Sequence, residues 1–248
     1  MTGFISDFDG TLFFREENPQ IRKKDVEAIH EFQKENKFCL CTGRTWAGVK
    51  VLEEYNVYCD YYIVNSGAMI LNKNQEVIYE KRLNPAIVQE IIDQTHAYDC
   101  AILSKNQIYW VDHAFFQSDS QTIIHSVEDV QEPIVAISLH ADSEKEAYEA
   151  CKKINAQFDV QALQNDVFVD IVAPGCSKGK AIEYLRNHLN ISYVAAIGDS
   201  YNDIDMLEQA NHAFTFASSP RHVQEVADQL VSDIAQAIDY TKNNIKNR

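Results

Sequence analysis

Positive charge is scarce in this sequence. Its 248 residues carry 22 Lys and Arg against 37 Asp and Glu, a formal net charge of −15. A broad nucleic-acid surface needs clustered Lys and Arg facing the phosphate backbone, so nucleic acid is excluded as the partner. Long apolar runs are missing as well. No stretch approaches the roughly 18 uninterrupted apolar residues of a membrane-spanning helix, so no membrane partner is expected. The rest of the composition, 46% hydrophobic and 24% charged with only 8 Gly and 5 Pro, is ordinary for a globular chain. It excludes collagen, coiled coil and whole-chain disorder. Residues 1–9 lack a basic stretch followed by a long apolar one, so no secretory signal is expected and the reading is cytoplasmic. The six cysteines form no Cys-x-x-Cys pair and no Cys/His cluster with zinc spacing. Cys39 and Cys41 alternate within an apolar run, which puts both on one face of a strand. Reduced thiols in a cytosolic protein are the expectation.

What is present is a rhythm of short apolar runs and amphipathic stretches. Residues 4–8 read as a buried strand, 21–36 as a helix with Val26, Ile29 and Phe32 on one face, and 38–41 as a second strand. A helix over 47–55 and a strand over 61–64 follow. This alternation predicts a parallel sheet with crossover helices. The rhythm changes after Gly67. Residues 69–71 and 76–79 flank Asn72-Lys73-Asn74-Gln75, a hairpin signal. A helix from Pro85, strands at 101–103, 108–111, 134–139 and 167–172, and a helix over 144–158 then suggest a separate α+β unit. The parallel pattern returns with a helix at 177–189, capped by Ser177. Strands at 193–197 and 213–216 and helices at 202–210, 220–227 and 233–240 complete the chain. The predicted architecture is an α/β, parallel-sheet Rossmann-like core from residues 1–83 and 169–248, with an inserted α+β cap at 84–168.

Three predicted strand ends present polar residues: Asp7 and Asp9, Thr42, and Asp199 with Asp203. Ligands of open α/β sheets bind at the carboxyl ends of strands. Converging carboxylates repel unless a cation neutralises them, and an oxygen-only set without His or Cys favours Mg²⁺. On a regular strand Asp7 and Asp9, two apart, would point the same way. Taken singly, each has a plain alternative: a turn pair before Gly10, a strand-end hydroxyl at Thr42, a helix N-cap at Asp203.

Together these residues resemble a known family. Asp7-Phe8-Asp9-Gly10-Thr11-Leu12 is similar to the first motif of the haloacid dehalogenase superfamily of phosphohydrolases. Thr42-Gly43-Arg44 resembles the second motif of its Cof-type phosphatases, and Asn65-Ser66-Gly67-Ala68 the strand end before their cap. Lys178, in Pro174-Gly175-Cys176-Ser177-Lys178-Gly179, resembles the third motif. Gly198-Asp199-Ser200-Tyr201-Asn202-Asp203 resembles the fourth. Four motifs in order, with the insert between the second and third, are far more specific than any one alone. One departure is Phe216-Ala217-Ser218-Ser219-Pro220, where members often carry an Asn-Ala pair.

The resemblance implies a Mg²⁺-dependent phosphomonoester hydrolase acting on a small phosphorylated metabolite, a sugar phosphate for preference. Asp7 would attack phosphorus. Asp9 would protonate the leaving oxygen and then activate water. Mg²⁺ would sit on Asp7, the Asp9 backbone carbonyl and Asp199, while Asp203 would support the metal or orient Lys178. Thr42, Gly43, Lys178 and Asn202 would bind phosphate, and Arg44 would touch substrate or form an ion pair. A phosphosugar mutase of the same superfamily and a non-catalytic phosphate sensor are the alternative readings. The oligomeric state, monomer or dimer, stays open. Trp46 and the aromatics Tyr109, Trp110, Phe115 and Phe116 read as core, with a cleft-lining or sugar-stacking role as the alternative. Residues 84–168 contain four lysines, no arginine and fourteen acids. Arg is the usual fork for a second phosphate or a carboxylate. An uncharged leaving group is therefore expected.

Overall fold

The computed structural model describes residues 1–115 and 121–246. The first strand, β1 (Thr2–Ser6), is buried along its whole length. It lies at the centre of an eight-stranded sheet. Next come α1 (Lys23–Phe32), β2 (Lys37–Cys41), α2 (Trp46–Val49), β3 (Tyr61–Val64) and the hairpin β4 (Met69–Asn72) and β5 (Val77–Glu80). A second unit holds α3 (Pro85–Gln94), β6 (Asp99–Leu103), β7 (Ile108–Val111), β8 (Gln121–Ile124), β9 (Ala136–His140), α4 (Glu144–Gln157), β10 (Gln161–Asn165) and β11 (Phe168–Val172). The chain returns to the first sheet through α5 (Lys178–Leu189), β12 (Tyr193–Ile197), α6 (Ile204–Gln209), β13 (His212–Phe216), α7 (Arg221–Val226), β14 (Gln229–Val231) and α8 (Ile234–Lys246).

The first sheet runs β14-β13-β12-β1-β2-β3-β4-β5, parallel except that β4 lies antiparallel to both β3 and β5. Both of its faces are covered, which is why its strands read as near-continuous apolar runs. Phe4 points into one core layer with Phe32, Phe38 and Phe214; Ile5 points into the other with Cys39, Cys41, Ile182 and Met206. The two cysteines thus share a face, as their alternation predicts, and all six are free and buried. From β1 the chain winds outward through β2 and β3, and after the insert it winds the other way from β12. The reversal falls between β1 and β12, the place where open α/β sheets form their ligand crevice.

The second sheet, β10-β11-β9-β6-β7-β8, is antiparallel except for β7 against β8. The predicted boundary at 168/169 needs correcting. It cuts through β11, both of whose ladders lie in the second sheet. Other differences also have local causes. The predicted helix over 47–55 is α-helical only to Val49 and continues as a 3₁₀ turn to Tyr55. Gly48, Val49 and Val51 are poor helix formers, and the turn ends at Asn56 in the left-handed region. Strands β8, β10 and β14 had no clear apolar signature, because edge strands owe their existence to pairing more than to pattern. Among the described residues no helix is long and apolar enough to cross a membrane.

Candidate active site

Strand β1 stops at Ser6, and Asp7 is the next residue. Its amide still donates to Ile197 O on β12 at 2.9 Å, which fixes Asp7 at the floor of the crevice, 6% exposed. The chain then turns: the amides of Leu12 and Phe13 both donate to Phe8 O, at 2.9 and 2.7 Å. Because the strand has ended, Asp9 does not point the way Asp7 does. It lies exposed, with Arg44 Nη2 at 2.5 Å and Nε at 2.8 Å from its two oxygens. Gly10 has φ +78°, and a Cβ there would come within 2.5 Å of Asp199 Oδ2. Only glycine lets this loop approach the β12 loop so closely.

Lys178 enters from the first residue of α5, capped by Ser177. A second glycine sets its position. Gly67, with φ +91°, packs so tightly on the Ser177 carbonyl that any Cβ would overlap it. The Lys178 ammonium, 2% exposed, donates to Asp7 Oδ1 and to Asp203 Oδ1, both at 2.6 Å. The amides of Asp199 and Ser200 donate to Asp203 Oδ2, each at 3.0 Å. Both Asp203 oxygens are therefore engaged, and the geometry suits a residue that orients Lys178 and the 199–203 loop. Thr11 Oγ1 donates to Asp199 Oδ1 at 2.6 Å.

Asp7, Asp199 and Asp203 bring carboxylate oxygens within 4.8 Å of one another. Three acids thus face one ammonium. Burial, and then repulsion from Asp203, pushes the Asp7 carboxyl well above the ordinary range against the pull of Lys178. Burial likewise holds Asp199 up at about 6. Burial opposes the charge on Lys178 too, but Asp203 and Asp7 outweigh it and hold the ammonium protonated. The surplus negative charge and the all-oxygen donor set fit a small divalent cation such as Mg²⁺. Asp7 and Asp199 would be its carboxylate ligands.

The other predicted residues surround a cavity of about 330 Å³ above Asp7. Thr42, Gly43, Arg44, Asp199 and Asn202 line it with Asp7 and Asp9. Thr42 Oγ1, 2% exposed, accepts the Arg44 amide at 3.1 Å. The Arg44 guanidinium also donates to Gly48 O at 3.0 Å and lies over the Phe8 and Phe13 rings. Of the two roles weighed for Arg44, the ion pair is the one observed.

Apart from the sugar-stacking alternative for Trp110 and Phe115, sequence reasoning missed the residues that the second sheet contributes. Asn165 and Asp166, at the β10–β11 turn, reach the same cavity. A second cavity of about 500 Å³ opens between Gly43, Arg44 and Thr45 on one side and Leu103, Ile108, Trp110, Phe115, Ser138, Phe168 and Asp170 on the other. Trp110 and Phe115 thus face a cleft, while Tyr109 and Trp46 are buried in the core. Phe116 lies outside the described residues. A lone acid inside the apolar run Phe168-Val169-Asp170-Ile171-Val172 was the signal available for Asp170. The Asx pair was the one available for the turn.

The family model for haloacid dehalogenase-like hydrolases matches residues 4–237. An uncharacterised protein of Mycoplasma capricolum is 30% identical over 234 residues, covering 84% of this chain and 88% of that one. The putative phosphatase YxeH of Bacillus subtilis is 28% identical, covering 90% of this chain and 89% of its own. Among solved structures, the subclass IIB sugar phosphatase BT4131 superposes with a TM-score of 0.80 at 21% identity, over 98% of this chain and 99% of that one. A match running from β1 into α8 spans all four motifs and the insert between them, and on it the chain belongs to the haloacid dehalogenase-like hydrolase family.

Proposed function

We propose that this chain is a Mg²⁺-dependent phosphomonoester hydrolase that works through an aspartyl-phosphate intermediate, with a sugar phosphate as its substrate. The observation that carries the reading is the setting of Asp7. It is a buried carboxylate with one oxygen held by Lys178 at 2.6 Å, beneath a cavity shared with Asp9, Thr42 and Asn202. Bound to Asp7, Asp199 and the Asp9 carbonyl, Mg²⁺ would neutralise phosphate oxygens and the excess carboxylate charge.

The chain's own residues supply the rest. Asp7 attacks phosphorus and the P–O bond to the leaving group breaks. Asp9, protonated and released from the Arg44 fork, gives the departing oxygen that proton. In the second half Asp9 takes a proton from water, and the hydroxide formed splits the acyl phosphate, restoring Asp7 and releasing inorganic phosphate. Lys178 and Thr42 stabilise charge on the transferring phosphoryl group, the main demand of this chemistry. Asp203 keeps Lys178 in place.

A panel of phosphorylated metabolites tests the reading by release of free phosphate with Mg²⁺ and with EDTA. Phosphate release that EDTA abolishes is expected, with a phosphate adduct on Asp7 accumulating in Asp9→Asn by intact mass. Undiminished turnover in metal-stripped protein, or no release from any phosphoester, would overturn it.

A further inference from the structure

We infer that Asp170 selects the leaving group. Its carboxylate, on the underside of the second sheet, accepts a hydroxyl of an uncharged sugar or polyol monophosphate and repels a leaving group that carries a second anion. The inference rests on the phosphatase reading above and deepens it.

Asp170 is out of place by packing alone. It is 5% exposed, and its strand neighbours Val169 and Ile171 are fully buried. A carboxylate there costs desolvation that Asn or Thr would not. Burial raises its carboxyl above the ordinary range, and the surroundings work against that rise. Ser66 Oγ and Asn165 Nδ2 donate to Oδ2 at 3.0 and 3.4 Å, and Ser138 Oγ donates to Oδ1 at 3.0 Å. Three donors converging on one group favour the carboxylate over the acid. Among the described residues no Lys or Arg is paired with it, and the Lys178 ammonium, held by Asp7 and Asp203, acts on it only from a distance. A carboxylate has about four acceptor positions. Three are taken, and Oδ1, with one partner, keeps room for another donor.

The larger cavity supplies that donor's place. Its volume of about 500 Å³ suits one monosaccharide, and it shares Gly43, Arg44 and Asn165 with the smaller cavity above Asp7. A phosphate over Asp7 therefore leaves its sugar under the second sheet. Leu103, Ile108, Trp110, Phe115 and Phe168 give that space apolar walls, suited to the C–H face of a ring. None of Lys105, Lys145, Lys152 and Lys153 lines either cavity, whereas Asp166 lines the smaller one. Arg44 is committed to Asp9. Arg15, exposed on the core side of the larger cavity, is the feature that opposes the inference.

Full-length wild type, Asp170→Asn and Ser66→Ala should be compared with Mg²⁺ at fixed ionic strength. The substrates are a hexose monophosphate, its bisphosphate, a phosphoglycerate and acetyl phosphate, which is too small to span the larger cavity. Wild type should prefer the hexose monophosphate over both anionic competitors by tenfold or more in kcat/KM. In Asp170→Asn the monophosphate should lose at least tenfold more than acetyl phosphate loses, mainly through KM, and the preference over bisphosphate should collapse. Ser66→Ala removes a donor from the first sheet but not the charge, so it should keep the preference.

A wild type that favours bisphosphate or phosphoglycerate tenfold would assign the cavity to Arg15 and overturn the inference. Equal losses on all four substrates in Asp170→Asn, or their reproduction by Ser66→Ala, would reduce Asp170 to a strut between the sheets and overturn it too. Should Asp170→Asn not fold, the wild-type preference alone decides. A wild type inert toward every phosphoester overturns the phosphatase reading and this inference with it. An active wild type whose preference survives Asp170→Asn overturns only the inference.

Discussion

The two sides of the cleft are built on opposite principles. On the first-sheet side, every acid has a fixed partner: Lys178 for Asp7 and Asp203, backbone amides for Asp203, Thr11 for Asp199, Arg44 for Asp9. Such a constellation is preorganised, and its polar groups need little rearrangement as charge moves. On the second-sheet side the lining is mostly apolar and aromatic, with Asp170 as its buried charge. On the proposed reading the first side reacts and the second admits. Separation of this kind would let one set of residues keep the chemistry while another, on a different sheet, discriminates among leaving groups.

The largest effect that would sharpen this contrast is at Asp7. Asp7→Asn keeps the shape but removes the nucleophile, so kcat should fall by roughly a thousandfold or more. Thermal unfolding should not be lowered, because one of three acids facing a single ammonium has been removed. Retention of more than about a tenth of wild-type kcat would show that Asp7 does not attack. Lys178→Met makes the opposite change. It strips the cation from two buried carboxylates, and breaking a buried pair from one side costs about 3–5 kcal/mol. Urea unfolding should show that loss, with activity falling in parallel. An unchanged midpoint would mean that Asp7 and Asp203 do not depend on Lys178.

The same contrast explains what could be read from the sequence. Core residues were legible because three of the four motifs sit where a parallel strand ends, and strand ends in such sheets converge by topology. Asp7, Thr42 and Asp199 needed no knowledge of the insert. The Arg44–Asp9 pair was half legible. Both residues stood out, but their bidentate contact depends on the turn after Ser6, which breaks the strand alternation that was assumed. The insert was largely opaque. Its strands β8 and β10 are short edge strands, and the 168/169 boundary cuts a strand, 167–172, whose pattern had already been grouped with the insert. A pattern tells how a strand is buried, not which partner buries it. Asp170 shows the limit best: an acid in an apolar run was visible, yet its donors Ser66, Ser138 and Asn165 are scattered over more than 90 residues.

A smaller effect is expected from Arg44→Ala. The pair with Asp9 is partly exposed, with side-chain accessibilities of 25% and 50%, so it contributes little to stability. Its value lies in orienting Asp9 as a carboxylate, the form that takes a proton from water. Both Asp9 oxygens are held by Arg44, whose guanidinium is itself fixed by Gly48 O and two phenyl rings. Without it Asp9 samples other rotamers, and kcat should fall by about ten- to a hundredfold, part of what general acid–base catalysis supplies. The unfolding temperature should stay near wild type. Lysine at this position should recover only part of the loss, since it cannot form the planar fork. A change confined to KM would mean instead that Arg44 binds substrate.

The smallest effect tests the surplus charge itself. Burial holds Asp199 at about 6 against an ordinary value of 3.8, and Asp7 is raised as well. Such acids bind a proton more tightly folded than unfolded. The stability they allow is therefore complete below about pH 4 and is lost as pH rises toward 6. Asp25 and Asp170, also raised by burial, add to the same slope but stand outside the cluster of Asp7, Asp199 and Asp203. The difference between Mg²⁺ and EDTA isolates the cluster from that background. A divalent cation binds the deprotonated carboxylates, so it should raise the unfolding temperature little near pH 5 and by several degrees near pH 7.5. Asp199→Asn should abolish the difference at both pH values, because it removes a ligand and lowers the surplus charge together. An Mg²⁺ effect equal at the two pH values, or greater at the lower one, would mean that these carboxylates are not where the cation binds. The first-sheet side would then owe its balance to Lys178 alone.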